Sequence, residues 1–220
     1  MTDTTTGTAG GTTAPKQLVA ISSGLSQPSS TRLLTDRLAD ATVADLRDRG
    51  VDVELRTIEL RDIAQDITNN LVTGFPSTKL QSALDAVAGA DGLIAVTPIF
   101  TASYSGLFKS FFDVIDNTAL TGLPTLIAAT GGTPRHSLAL EHAVRPLFSY
   151  LRAPVMPTSV YASSEDWGSG ADGVASLPDR IHRAASELAD AVQRSDRSSR
   201  VVDPFALDAS FSPVGGYGAQ

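Results

Sequence analysis

The chain has no cysteine among its 220 residues. That excludes a disulfide framework, a thiolate metal site, an iron–sulfur cluster and a cysteine nucleophile. Positive charge is also scarce: 17 Lys and Arg face 24 Asp and Glu, a formal net charge of −7. With no basic stripe interleaved with aromatics, the chain lacks a surface for nucleic-acid phosphates. No apolar run approaches the roughly 20 residues of a membrane span, and the start lacks a charged-then-apolar signal pattern. A cytoplasmic location is the expectation. Histidines are few, and His136 and His142 stand six apart, not at the spacing of four that puts two ligands on one helical face. No metal site is expected. Three signatures are missing as well: Gly-x-Ser-x-Gly, a Gly-Lys-Ser/Thr phosphate loop and Gly-x-Gly-x-x-Gly. Serine hydrolysis, nucleoside-triphosphate hydrolysis and tight Rossmann-type dinucleotide binding each lose their anchor.

What is present is enough apolar sequence, 42% of residues, to build one α/β domain with a sizeable core. Residues 1–15, rich in Thr and Gly, have little to bury and are expected to be disordered. Residues 16–196 read as the folded domain and 197–220 as a tail. Short apolar runs at Leu18–Ile21, Gly92–Val96, Pro124–Ala129 and Val155–Tyr161 read as buried strands, and Val51–Leu55 alternates like an edge strand. Helical spacing falls between them: from a Ser29 or Ser30 cap to Gly50, over Thr78–Ala88, over Tyr104–Ile115, from Leu140 to Leu151 and from Leu177 to Val192. Pro146 should bend or break the fourth of these. Asp62–Ser77, with Asn69-Asn70 and Gly74-Phe75-Pro76, reads as loop. Strands alternating with helices predict a doubly wound, five-stranded parallel sheet of order 2-1-3-4-5.

Three loops follow the carboxyl ends of buried strands, where such sheets bind ligands. The first, Ser22–Thr31, is dense in hydroxyls and runs into a helix N-terminus, which favours a phosphate. The second starts at Thr97-Pro98-Ile99-Phe100, where Pro98 stiffens the exit from the strand, and continues through Ala102-Ser103-Tyr104-Ser105-Gly106. The third is Thr130-Gly131-Gly132-Thr133, whose paired glycines let backbone approach a ring edge. Each loop alone is equally a capped or tight turn. Arg135 and Lys109 are weaker candidates for attracting a phosphate, and Trp167 lies in a loop as lid, interface anchor or core.

These residues resemble the NADPH-dependent FMN reductases, in particular the subgroup that supplies reduced flavin to two-component monooxygenases. The likeness runs from about Gln17 to about Ser195 and is carried by the three loops and by Gly131-Gly132-x-x-x-His136-x-Leu138-Ala139 with Ala143-x-x-Pro146. The tail around Val202-Asp203-Pro204-Phe205 is similar to tails of members that partner luciferase-like monooxygenases. The resemblance implies a flavodoxin-like fold and use of FMN with NADPH or NADH. Ser22, Ser29 and Thr31 would hold the FMN phosphate, with Gln27 and Ser30 in the same loop. Pro98, Ile99, Phe100 and Tyr104 would lie by the ring and ribityl chain, and Thr130, Gly131 and Gly132 along the ring edge. No catalytic side chain is required. Many relatives carry arginine where Gln27 stands, so weaker FMN retention is expected. The resemblance further implies a homodimer or homotetramer, to which the aromatic face of the 105–116 helix is a candidate contributor, though core burial explains that face equally. Two other readings stay open: an FMN-bound quinone or azo-type reductase, and a non-enzymatic flavodoxin-like electron carrier.

Overall fold

Leu18–Ile21, Gly92–Val96 and Thr125–Ala129 are buried on both faces, as strands covered by helices on both sides must be. In the computed structural model, which describes residues 14–167 and 176–197, they form the centre of one sheet. The elements run β1 (Lys16–Ser22), α1 (Ser30–Asp48), β2 (Val53–Glu59), α2 (Ala64–Thr73), α3 (Thr78–Gly89), β3 (Gly92–Phe100), β4 (Ser103–Tyr104), α4 (Gly106–Asp113), β5 (Thr125–Gly131), α5 (Arg145–Tyr150), β6 (Val160–Ser163) and α6 (Leu177–Arg194). The parallel strands are ordered β2-β1-β3-β5-β6, with β2 at one edge. This is the expected 2-1-3-4-5 pattern, to which the two-residue β4 adds an antiparallel hairpin on β3.

Alternate strand residues feed two cores. Leu18, Ala20, Ile94, Val96, Leu126 and Ala128 pack under α1 and α6. Val19, Ile21, Leu93, Ala95, Ile127 and Ala129 pack against α2–α5 on the other face. The aromatic face of α4 belongs to this second core: Phe108, Phe111 and Phe112 are buried, and Phe112 meets Phe148 edge-on with centroids 4.9 Å apart. It is core, and not available as an intersubunit surface.

Two expectations need correction. Asp62–Ser77 is not loop: a 3₁₀ turn at Leu60–Ile63 leads into α2, which buries Ile67 and Asn70 and stops at Gly74 in the left-handed region, φ 78°. The last strand lies later than Val155–Tyr161: Val155 makes only an isolated bridge to Thr125, Pro157 has no N–H to continue the ladder, and regular pairing begins at Val160. Pro146 acts as expected. It lacks the N–H for a regular turn, and the chain passes through a π-turn at Leu140–Val144 before α5 begins. Residues 1–13, 168–175 and 198–220 lie outside the described residues, and with them the segments expected to be disordered N-terminus, a turn-rich loop at Gly168–Gly173 and tail.

Candidate functional site

The sheet reverses its winding between β1 and β3, and a crevice opens at the carboxyl ends there. A cavity of about 440 Å³ occupies it, within the usual range for small-molecule sites. Its walls come from all three loops: Leu25, Ser26, Ser30 and Thr31 from the first, Pro98, Ile99 and Phe100 from the second, Thr130, Gly131 and Gly132 from the third.

Hydroxyl groups tie these loops to one another. The buried Thr31 and Thr130 hydroxyls share a hydrogen bond of 2.8 Å, joining the first loop to the third. The Ser105 hydroxyl donates to the Ser23 hydroxyl at 3.3 Å, joining the second loop to the first, and Ser105 N–H donates to Thr97 Oγ1 at 3.0 Å within the second. Tyr161 Oη donates to Thr133 C=O at 2.8 Å and fixes the third loop from β6. Burial, and secondarily Asp166, raises the Tyr161 pKa, so the phenol stays a neutral donor. A Cβ on Gly131 would sit 2.0 Å from Tyr161 Oη, which is why glycine is needed there. At Gly132 nothing lies within 4 Å, so its backbone faces open space.

The expected site residues divide by this geometry. Ser30, Thr31, Pro98, Ile99, Phe100, Thr130, Gly131 and Gly132 converge on the cavity. Ser29 caps α1, its hydroxyl accepting from Arg32 N–H at 3.2 Å. Tyr104 pairs with Ile99 across the β3–β4 hairpin, and its ring lies 6.0 Å from Phe108. Ser22 is 1% exposed, and its hydroxyl has no partner among the described residues. Gln27 turns its carboxamide oxygen to Arg61 Nη1 (2.9 Å) and Nη2 (2.6 Å), in the orientation its donors require.

Arg61 is an unforeseen participant. It reaches the first loop from the turn after β2 and also donates to Ser26 C=O at 3.2 Å. Its charge is not free. Arg61 meets Glu59 (2.9 Å) and Asp62 (3.6 Å), while Arg32 meets the same Glu59 (2.5 Å) and Asp36 (2.8 Å). Two guanidinium groups thus face three carboxylates beside the loop.

A fourth strand end also contributes: Ser164 and Trp167, in the 3₁₀ turn after β6, complete the cavity wall. Asp166 holds this turn by accepting from Ser163 N–H and Oγ, both 2.7 Å, and from Arg180. Arg37 stacks over the Trp167 ring at 5.1 Å. Among the described residues the lining has no Asp, Glu, His or Lys side chain. Such a wall can position a ligand and donate hydrogen bonds, but it offers no acid or base.

Among the described residues no helix is long and apolar enough to cross a membrane, and no cluster of three or more His, Asp or Glu side chains could hold a metal ion. A family profile described as NADPH-dependent FMN reductase matches residues 17–168. Over 177 residues the chain is 41% identical to an FMN reductase (NADPH) of Pseudomonas aeruginosa, covering 80% of this chain and 92% of that protein. It is 39% identical over 175 residues to the NADH-dependent FMN reductase SfnF of Pseudomonas fluorescens, covering 80% and 91%. A crystal structure of an oxidoreductase from Corynebacterium diphtheriae superposes with a TM-score of 0.80 at 46% identity, covering 84% of this chain and all of that one.

Proposed function

The chain belongs to the NADPH-dependent FMN reductase family, and from that premise we propose that it transfers hydride from NAD(P)H to FMN at the carboxyl ends of β1, β3 and β5. The observation that carries the reading is the convergence of three strand-end loops on one cavity whose described lining holds no acid or base. FMN, when bound, supplies the hydride acceptor at its N5 for transfer from nicotinamide C4, so the protein's task is orientation.

The residues fit the group. Ser22, at the end of β1 where the phosphate loop begins, carries a buried hydroxyl with no partner among the described residues. The first-turn N–H groups of Ser30 and Thr31 have no intrahelical acceptor, and the α1 dipole favours an anion there. Ser26 and Ser30 line the cavity at that end with further hydroxyls. Thr31 acts mainly by holding Thr130, and Ser29 by capping α1. Pro98, Ile99 and Phe100 form one wall for a flat ring, and the open backbone of Gly132 borders the other. Trp167 and Ser164 border the remaining side.

FMN exchanges as a substrate in this reading, since both arginines beside the first loop are neutralised by Glu59, Asp36 and Asp62. Reduced flavin would then pass to a flavin-dependent monooxygenase, and the enzyme would act in the cytoplasm as a homo-oligomer. The exposed Val72, Phe75 and Tyr150 are apolar groups such an assembly could cover. The test is NADPH oxidation against added FMN. A rate that saturates with FMN, from protein purified without yellow colour, is expected. Bound flavin with turnover only on adding a quinone would favour the quinone-reductase reading instead.

A further inference from the structure

A second cavity, of about 360 Å³, opens two residues beyond Phe100 and three beyond Gly132. Ala102, Arg135, His136, Leu138 and His142 line it. The β3–β4 turn separates the two spaces, with Phe100 on the flavin cavity and Ala102 on this one. Thr101 and Ala102 both have positive φ, 48° and 66°, which defines a tight turn. The second cavity therefore lies by the second and third loops, at the ring end of the flavin cavity and away from the α1 phosphate end.

Its charge sets it apart in an acidic chain. Arg135, His136 and His142 fall within eight residues, and among the described residues none has a carboxylate within ion-pair distance. The acid beside them in sequence, Glu141, is occupied by Arg145 at 2.5 Å and Ser159 at 2.9 Å. One permanent cation and two imidazoles are thus exposed at this cleft, His142 also sensing the Glu141 charge, beside the third loop of the flavin cavity. A dinucleotide whose nicotinamide lies on the flavin ring could extend across the β3–β4 turn and bring its adenosine ribose to this cleft.

We propose that this cleft binds the 2′-phosphate of NADPH, with Arg135 as its main contact and His136 and His142 as further donors, and so sets a preference for NADPH over NADH. The inference rests on the reductase reading above. Relatives named for NADPH and for NADH match at nearly equal identity, 41% and 39%, so the choice falls to residues of this chain. A phosphate monoester carries close to two negative charges at neutral pH. A guanidinium fork with two ring donors matches it better than it matches the singly charged links common to both nucleotides.

The test pairs a flavin-free measurement with kinetics. In calorimetric titration the wild-type protein should bind adenosine 2′,5′-bisphosphate at least about tenfold more tightly than 5′-AMP. Arg135→Ala should abolish the difference, and Arg135→Lys should keep part of it. In turnover at saturating FMN, Arg135→Ala should raise KM for NADPH about ten- to hundredfold, the range for one charge-assisted contact, while KM for NADH and kcat stay unchanged. Equal binding of the two adenosine probes, or equal damage to NADPH and NADH turnover, would overturn the proposal. Arg135-dependent bisphosphate binding without any FMN-dependent oxidation would sink the reductase reading and leave the phosphate site standing.

Discussion

Gly131 and Gly132 are adjacent and chemically identical, yet the structure assigns their substitutions opposite consequences. A methyl group at 131 would meet Tyr161 Oη at 2.0 Å and Cζ at 3.0 Å. Neither glycine has positive φ, so alanine's backbone preferences are not at issue. Gly131→Ala must displace the phenol, breaking its bond to Thr133 C=O. Overpacking of this kind costs about 1–3 kcal/mol, and the lost hydrogen bond adds about 0.5–1.5 kcal/mol. The sum, roughly 2–4 kcal/mol, lowers Tm by about 5–15 °C for a domain of this size. Gly132→Ala meets nothing within 4 Å, so its Tm should hold within about 2 °C. Its methyl projects into space that borders the cavity, so KM for FMN should rise instead. Removing the obstructing oxygen is the control. Tyr161→Phe alone costs about 1 kcal/mol, and in the double variant the two losses should fall short of additive by about 1–2 kcal/mol. Calorimetry on the four proteins reads this directly. Strict additivity, or a Gly132→Ala protein as destabilised as Gly131→Ala, would refute the contact as the cause.

Four other substitutions probe separate links. Thr31→Val leaves the buried Thr130 hydroxyl without its 2.8 Å partner, so denaturant unfolding should show a loss of about 1–3 kcal/mol. Arg61→Ala removes the support of Ser26 and Gln27 and should raise KM about two- to tenfold for FMN. Riboflavin, which has no phosphate to place, should be unaffected. Burial opposes the charge on Asp166, but hydrogen bonds from Ser163 and the Arg180 charge outweigh it and hold the carboxyl below its ordinary value. The unfolded chain therefore takes up the proton first. The stabilisation is complete above about pH 4 and fades as pH falls through the lower folded value. The Tm gap between wild type and Asp166→Asn should shrink in that acid range and be constant at neutral pH. Ala102→Gly relieves a side chain at φ 66° and should stabilise by about 1 kcal/mol, seen as a small rise in Tm.

The sheet was legible because its central strands are short, unbroken apolar runs, and the alternation of Val51–Leu55 marked the edge. α2 was hidden because Asn69-Asn70 and Gly74-Phe75-Pro76 read as breakers, although Gly74 is the left-handed stop that ends a helix. β6 was placed too early because the apolar run from Val155 was read as strand through Pro157, and the error hid Ser164 and left Trp167 a loop residue without a site. Placing the strand end at Ser163 would have exposed a fourth strand-end loop by the same rule that found the other three. Hydroxyl density pointed to the first loop, but composition does not say which hydroxyls turn inward. Thr31 and Ser29 bond within the protein while Ser30 faces the cavity. Arg61 lay beyond reach of sequence reasoning, since its approach to Gln27 depends on how the turn after β2 folds beside the first loop.

The central claim is that the cavity between the three loops is an FMN site whose first loop holds the phosphate. Steady-state NAD(P)H oxidation with FMN, FAD and riboflavin as acceptors tests it most directly. The account predicts saturation with FMN at the lowest KM and riboflavin as the poorest substrate. Equal kcat/KM for FMN and riboflavin, or oxidation indifferent to added flavin, would contradict it.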